Sequence, residues 1–172
     1  MEIIKKEKNK TIQKEVDFMN EKIREAIRIL EEKGIPYRIL DLGGKGISSQ
    51  DVEKLSDVNP EEIIKTIVLR DTDENFFAAF VPGRMRIDLR KVKTVLKCKE
   101  LRLAKAKELK QILGWAPGEV CPVLVKFPMI IDKTVFEREK INFGSGDLLY
   151  GIEIKTEDIL KCVDAKISEI VE

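Results

Sequence analysis

From Val16 onward the apolar positions Met19, Ile23, Ala26, Ile27 and Leu30 recur at steps of three and four, with charged residues between them. That spacing lays a single apolar stripe along a helix. Gly34 followed by Pro36 ends it. The lysine-rich residues before it, from Met1 to about Gln13, either extend the helix or fray. Residues 1–34 therefore read as an N-terminal helical extension, and residues 35–172 as one further domain.

Beyond Pro36 the pattern shortens. Residues 37–42 read as a strand closed by the flexible turn Gly43-Gly44-Lys45-Gly46. Ser48 to Asp51 has the form of a helix N-cap with an acid in the first turn, opening a helix to about Leu55. Asn59-Pro60-Glu61-Glu62 repeats the pattern with proline at the first helical position. The aliphatic run 66–69 suits a central strand. A polar turn at 71–75 returns it into residues 76–81, forming a hairpin.

Asp88 can cap a helix to about Leu96; residues 101–103 read as a brief strand, and 104–113 as a helix. After the glycine- and proline-rich segment 114–122, strands are expected at 123–126, 129–131, 140–143, 151–155 and 166–171. Thr156-Glu157-Asp158 caps a last helix through Cys162. Several strands follow one another directly, which favours a mixed α/β sheet over a purely parallel one.

Composition changes this picture mainly by exclusion. The 172 residues carry 32 basic and 31 acidic side chains, a formal net charge of +1, so no general coating of nucleic acid is implied. A local basic face stays open, because Lys91, Lys93, Lys97, Lys99, Arg102, Lys105 and Lys107 fall close together. Cys98, Cys121 and Cys162 form no C-x-x-C pair, and reduced thiols are the simpler reading. With no apolar run near the roughly twenty residues that span a bilayer, a soluble cytoplasmic protein is expected. The chain has no histidine. That removes Ser-His-Asp and Cys-His nucleophile systems and histidine-ligated zinc together. No metal or cofactor is called for.

Three places could carry chemistry. Lys65 sits between Ile63-Ile64 and Ile67-Val68-Leu69; it is either a strand-end lysine in water or an ammonium held rigidly for a phosphate or carbonyl oxygen. The loop 114–122 is either an ordinary helix-to-strand connection or a turn whose unobstructed N–H groups hold an ester carbonyl. Asn142-Phe143-Gly144-Ser145-Gly146-Asp147 is either a hairpin turn or a place where substrate approaches the backbone. Without histidine, Ser145 is a poor nucleophile.

Taken together, the order of these motifs resembles the YbaK family, the editing domains related to those of prolyl-tRNA synthetase. The resemblance rests on Ile64-Lys65-Thr66-Ile67-Val68-Leu69, Val81-Pro82-Gly83 with Arg86-Ile87-Asp88-Leu89, Gly114-x-x-Pro117-Gly118-x-Val120-x-Pro122, Gly144-Ser145-Gly146, and Ile152-Glu153-Ile154 before Glu157-Asp158-Ile159-Leu160. It covers residues 35–171 and implies a barrel-like mixed sheet flanked by helices. It also implies hydrolysis of mischarged aminoacyl-tRNA, with Lys65 as the catalytic residue. Gly114, Pro117, Gly118, Glu119, Val120, Gly144, Ser145 and Gly146 would shape the substrate pocket. A tRNA hydroxyl or the substrate itself assists in place of a protein base. Pro117 stands where many relatives have glycine, and Gly151 where Cys-specific members have aspartate. The implied cargo is a small wrong amino acid such as Ala, Ser, Thr or Cys, with the first three favoured. The implied partners are aminoacyl-tRNA and a synthetase, and the oligomeric state is left open. The rival reading is a noncatalytic tRNA- or synthetase-binding module on the same fold.

Overall fold

The computed structural model describes residues 19–172 in full and the backbone of residues 2–5. Strand β1 (Glu2–Lys5) pairs antiparallel with β2 (Tyr37–Asp41). This corrects the helical expectation at those four residues; the rest of the segment up to residue 18 lies outside the described residues, as does the expected helix start at Val16.

Helix α1 (Glu21–Glu32) lies between them in sequence. The Asn20 side chain caps it by accepting from the Ile23 N–H, and the apolar stripe buries Ile23, Ala26, Ile27 and Leu30. These pack with Ile39, Ile64, Phe80, Ile131, Ile141 and Ile152 in one core. Each such side chain contributes about 1.5–3 kcal/mol relative to exposure.

Helix α2 (Ser49–Leu55) begins with the Ser48–Asp51 capping box that the sequence suggests. Only a 3-10 turn forms at Pro60–Glu62. Strands β3 (Ile64–Asp71) and β4 (Phe76–Pro82) make the expected hairpin. Helix α3 (Leu89–Leu96) starts on Asp88, whose carboxylate accepts from the Arg90 N–H. Strand β5 (Leu101–Leu103) borders β3. The expected helix over 104–113 is one α turn, Ala106–Glu108, that widens into a π turn at Leu109–Leu113.

The strand expected at 123–126 is absent. Pro122 sits at the first position of a 3-10 turn, Pro122–Leu124, whose Leu124 N–H bonds to Cys121. An apolar run this short cannot be assigned to strand or turn by periodicity. Strands β6 (Met129–Asp132), β7 (Lys140–Gly144), β8 (Tyr150–Lys155) and β9 (Ala165–Ser168) follow, with helix α4 (Ile159–Cys162) before the last. The Thr156 hydroxyl is buried without a partner, so α4 is entered through a 3-10 turn and not through a threonine cap.

Four strands form one sheet in the order β1-β2-β8-β7, and five form another, β5-β3-β4-β6-β9. The β4–β6 and β6–β9 pairs are parallel and the other pairs antiparallel, so the sheet is mixed, as expected. The sheets meet at a parallel bridge between Ile63 and Asn142. Both remain open. The barrel-like part of the expectation therefore does not appear in the strand pairing. A second core of Leu69, Ala79, Val81, Val92, Ile130 and Ile170 fills the far side of the five-stranded sheet.

Candidate active site

Strand alternation places Lys65. Residues that pair across strands share a face, and every second residue along a strand returns to it. The Ile63–Asn142 bridge therefore puts Ile63, Lys65, Asn142 and Gly144 on one face. The β7–β8 and β2–β8 registers extend that face to Gly151 and Leu40. The bridge is isolated, so the two strands part beyond it, and Lys65 and Gly144 both line the space between them.

The space is a cleft of about 390 Å³. Its walls include Leu40, Leu42, Ile47, Val52 and Ile63, the strands at Ile64, Thr66 and Phe143 border it while their side chains face the core, and its polar groups include Lys65 and Asn142. Lys65 is half-buried. Burial alone acts on its ammonium, with no charged neighbour contributing, and lowers its pKa from the ordinary lysine value. A partly desolvated cation with no counter-ion among the described residues is suited to receive one from a ligand.

The loop 114–122 reaches the same cleft through Gly118 and Val120. A Cβ on Gly144 would stand 3.1 Å from the Val120 carbonyl and 3.4 Å from that of Gly118, so the loop lies directly over this glycine of the cleft. Gly118 adopts φ +84°, and a Cβ there would stand 2.4 Å from the Ile47 carbonyl oxygen. This close contact joins the loop to the segment that leads into α2.

Of the remaining expected site residues, Gly114, Pro117, Glu119, Ser145 and Gly146 do not line the cleft. Several brace it. Lys22 at the start of α1 donates to the Gly114 carbonyl at 2.6 Å and to the Glu119 carboxylate at 2.9 Å, and lies 5.3 Å from the Trp115 ring centroid. Burial opposes ionisation of Glu119, but the Ala116 N–H and Lys22 hold its carboxyl below the ordinary range. The Glu119 N–H donates to Ala116, so that amide is unavailable to substrate. Gly146 offers its carbonyl to the Asn20 amide.

Ser145 is buried, and its hydroxyl lies 2.7 Å from the Tyr150 carbonyl while accepting from the Asp147 N–H at 3.1 Å. It ties the β7–β8 turn. Ser145→Ala is expected to lower stability by about 1–3 kcal/mol, because buried backbone groups lose partners. Turnover per folded molecule should stay within about twofold, checked by thermal melting and active-fraction kinetics. Cys121, near the end of the loop, is fully buried and burial pushes its thiol up to about 12, which leaves no thiolate nucleophile there.

Sequence reasoning named the Asn142–Asp147 segment, Thr66 and Gly83 in its motifs without assigning Asn142, Thr66 or Gly83 to the pocket, and it missed the stretch Gly46–Gln50 as cleft lining and Lys22 as the brace. The Ser48–Asp51 capping box was the available signal for the stretch, since it fixes the chain entering α2. Among the described residues no group of three His, Cys, Asp or Glu side chains could hold a metal ion, and no helix is long and apolar enough to cross a membrane.

Residues 46–162, more than half of the chain, match the family described as the aminoacyl-tRNA editing domain. The chain belongs to that family. Its editing domain is similar to a protein named as a Cys-tRNA(Pro)/Cys-tRNA(Cys) deacylase from Enterococcus faecalis, with 24% identity over 84% of this chain and 91% of the relative. It is also 33% identical to a proline–tRNA ligase of Dehalococcoides mccartyi over 77% of this chain, which corresponds to 21% of the ligase. Among solved structures, one described as a trans-editing enzyme for prolyl-tRNA synthetase superposes with a TM-score of 0.77 at 19% identity, covering 90% of this chain and 99% of that one. At that identity the match speaks for the fold.

Proposed function

We propose that this editing domain works as a free-standing deacylase, hydrolysing the ester between a small wrong amino acid (Ala, Ser, Thr or Cys) and the terminal adenosine of tRNA. The supporting observation is the convergence, in a chain without histidine, of a partly buried Lys65, unpaired among the described residues, with the Gly118–Val120 turn around one mostly apolar cleft. The family membership and the names of the relatives point the same way.

In this reading the acylated 3′ end enters the cleft. Lys65 receives the terminal phosphate or ribose and the negative charge near the ester. The N–H groups of Gly118 and Val120 polarise the carbonyl. Glu119, whose N–H is spent within the turn, is omitted. Water attacks, assisted by a hydroxyl of the RNA. Holding the ester beside that hydroxyl removes an entropic cost. Gly114, Pro117, Glu119, Ser145 and Gly146 keep the loop and the adjoining turn in place. The partners are aminoacyl-tRNA of the tRNA(Pro) type and prolyl-tRNA synthetase, and the setting is the cytoplasm.

The test is incubation with a panel of mischarged tRNAs under multiple turnover. Release of a small wrong amino acid at many turnovers per protein supports the reading; tight tRNA binding without release sinks it. A second expectation concerns pH. Burial favours the neutral amine of Lys65, so its pKa is lowered and the active ammonium is lost as pH rises, before a free lysine would deprotonate. Deacylation, corrected for spontaneous ester hydrolysis, should fall on an alkaline limb below the ordinary lysine pKa. A flat profile through that range would exclude an ammonium role.

A further inference from the structure

We propose that Asn142 reads the side chain of the wrong amino acid, and that this side chain carries a hydroxyl. The inference rests on the deacylase reading and narrows its substrate. It begins with an anomaly of burial. Asn142 is 2% exposed, yet among the described residues neither its Oδ1 nor its Nδ2 has a hydrogen-bond partner. A buried polar group left unpaired is destabilising, and native proteins rarely keep one without a use. Here a single side chain keeps two.

Its position gives the use. Ile141 and Phe143 point into the core with α1, so the side chain of Asn142 projects from the opposite face of β7. That is the face it shares with Ile63, Lys65, Gly144, Gly151 and Leu40, all of which line the cleft. Ile63, Leu40 and Leu42 offer nothing polar. The carboxylate of Asp147, another lining residue, is occupied by the N–H groups of Asn20 and Leu149. The Thr66 hydroxyl, also buried and unpartnered among the described residues, projects from the other face of β3 with its cross-strand partner Phe80 and stays outside this set. Glu153, opposite Asn142 on β8, does not line the cleft and pairs with Arg38 at 3.6 Å and Lys140 at 4.0 Å. Beside the Lys65 ammonium, the mostly apolar cleft thus holds a neutral donor and a neutral acceptor on one rigid amide.

The chemistry of the amide selects the ligand group. A hydroxyl both donates and accepts, so one hydroxyl satisfies Oδ1 and Nδ2 together. An ammonium would use Oδ1 alone and would enter an apolar pocket with no counter-charge from Asn142. A developing oxyanion would use Nδ2 alone and meet the lone pairs of Oδ1. A thiol is weak in both roles. Alanine leaves both atoms unpaired. A site built to bond a hydroxyl discriminates strongly against the analogue that lacks it.

The experiment compares kcat/KM for Ser-tRNA and Ala-tRNA made on one tRNA(Pro) transcript, with wild-type protein and with Asn142→Leu. Leucine keeps the volume and removes both polar atoms. Wild type should prefer the seryl substrate by at least about tenfold, the order expected for an unpaired buried polar group. In Asn142→Leu the ratio of seryl to alanyl kcat/KM should fall by at least about tenfold. The ratio is internal to each sample, so partial loss of folded protein cancels; Asn142→Ala provides a second variant with the same expectation. Equal wild-type rates, a higher alanyl rate, or an equal fall of both rates in the variants would overturn the assignment. Failure to cleave any member of a mischarged panel would instead bring down the deacylase reading, and this inference with it.

Discussion

Lys65→Ala is expected to slow deacylation by about 10²–10³-fold, the usual effect of losing one preorganised group that stabilises charge in the transition state. The fold should hardly notice. Lys65 is half-buried, has no charged neighbour acting on it, and sits in a strand whose other apolar residues supply the packing. Removal of such a side chain usually changes stability by no more than about 0.5 kcal/mol. Single-turnover kinetics with mischarged tRNA and a thermal melt of the same preparation separate the two effects. A variant that melts normally and still cleaves at the wild-type rate would place the chemistry elsewhere. A variant that does not fold would show that burial of the lysine stem, and not its charge, was the reason for its position.

Gly118→Ala is expected to have the second largest effect, for a steric reason. The glycine holds φ +84°, and the added methyl would stand 2.4 Å from the Ile47 carbonyl oxygen and 2.9 Å from the Ile47 Cα. Both are backbone atoms, so no side chain can rotate away. Backbone strain of this kind costs about 1–3 kcal/mol, and relieving the clash moves the loop away from the segment entering α2. A displacement near 1 Å at a reacting centre costs about a hundredfold in rate, and a loss of that order is expected in kcat/KM. Gly114→Ala is the control: φ is +71° there too, but nothing lies within 4 Å of the added methyl. It should share the strain and keep most of the activity. Equal losses from the two substitutions would mean that backbone strain alone explains both.

Much of the site was legible because it depends on local signals. Lys65 stood out as one charge between two aliphatic runs, and Gly118 as a glycine in a proline-stiffened loop. The hairpin of β3 and β4, the caps at Ser48 and Asp88, and the amphipathic stripe of α1 are equally local, since each is set by neighbours within a few residues. What escaped depends on distant pairing. Nothing near Asn142 reveals that it bridges Ile63, and only that bridge puts its amide on the lysine's face. Lys22 reads as a solvated helix lysine until the fold brings Gly114 and Glu119, over ninety residues away, to its ammonium. Ser145 misled for the opposite reason. The sequence offers it as a residue that shapes the substrate pocket, whereas its hydroxyl is consumed by the backbone of the turn. Of the basic stretch from Lys91 to Lys107, Lys91 pairs with Glu169 and Arg102 with Glu108, so part of that charge is already neutralised.

A crystal structure with a 3′-seryl-amide analogue of adenosine, whose amide resists hydrolysis, tests the shared cleft most directly. The predicted complex places the acyl group between Lys65 and the Gly118–Val120 turn, with the carbonyl oxygen in hydrogen-bonding reach of the Lys65 ammonium or of a turn N–H. An analogue bound on another surface, with the cleft around Lys65 unaltered, would contradict it.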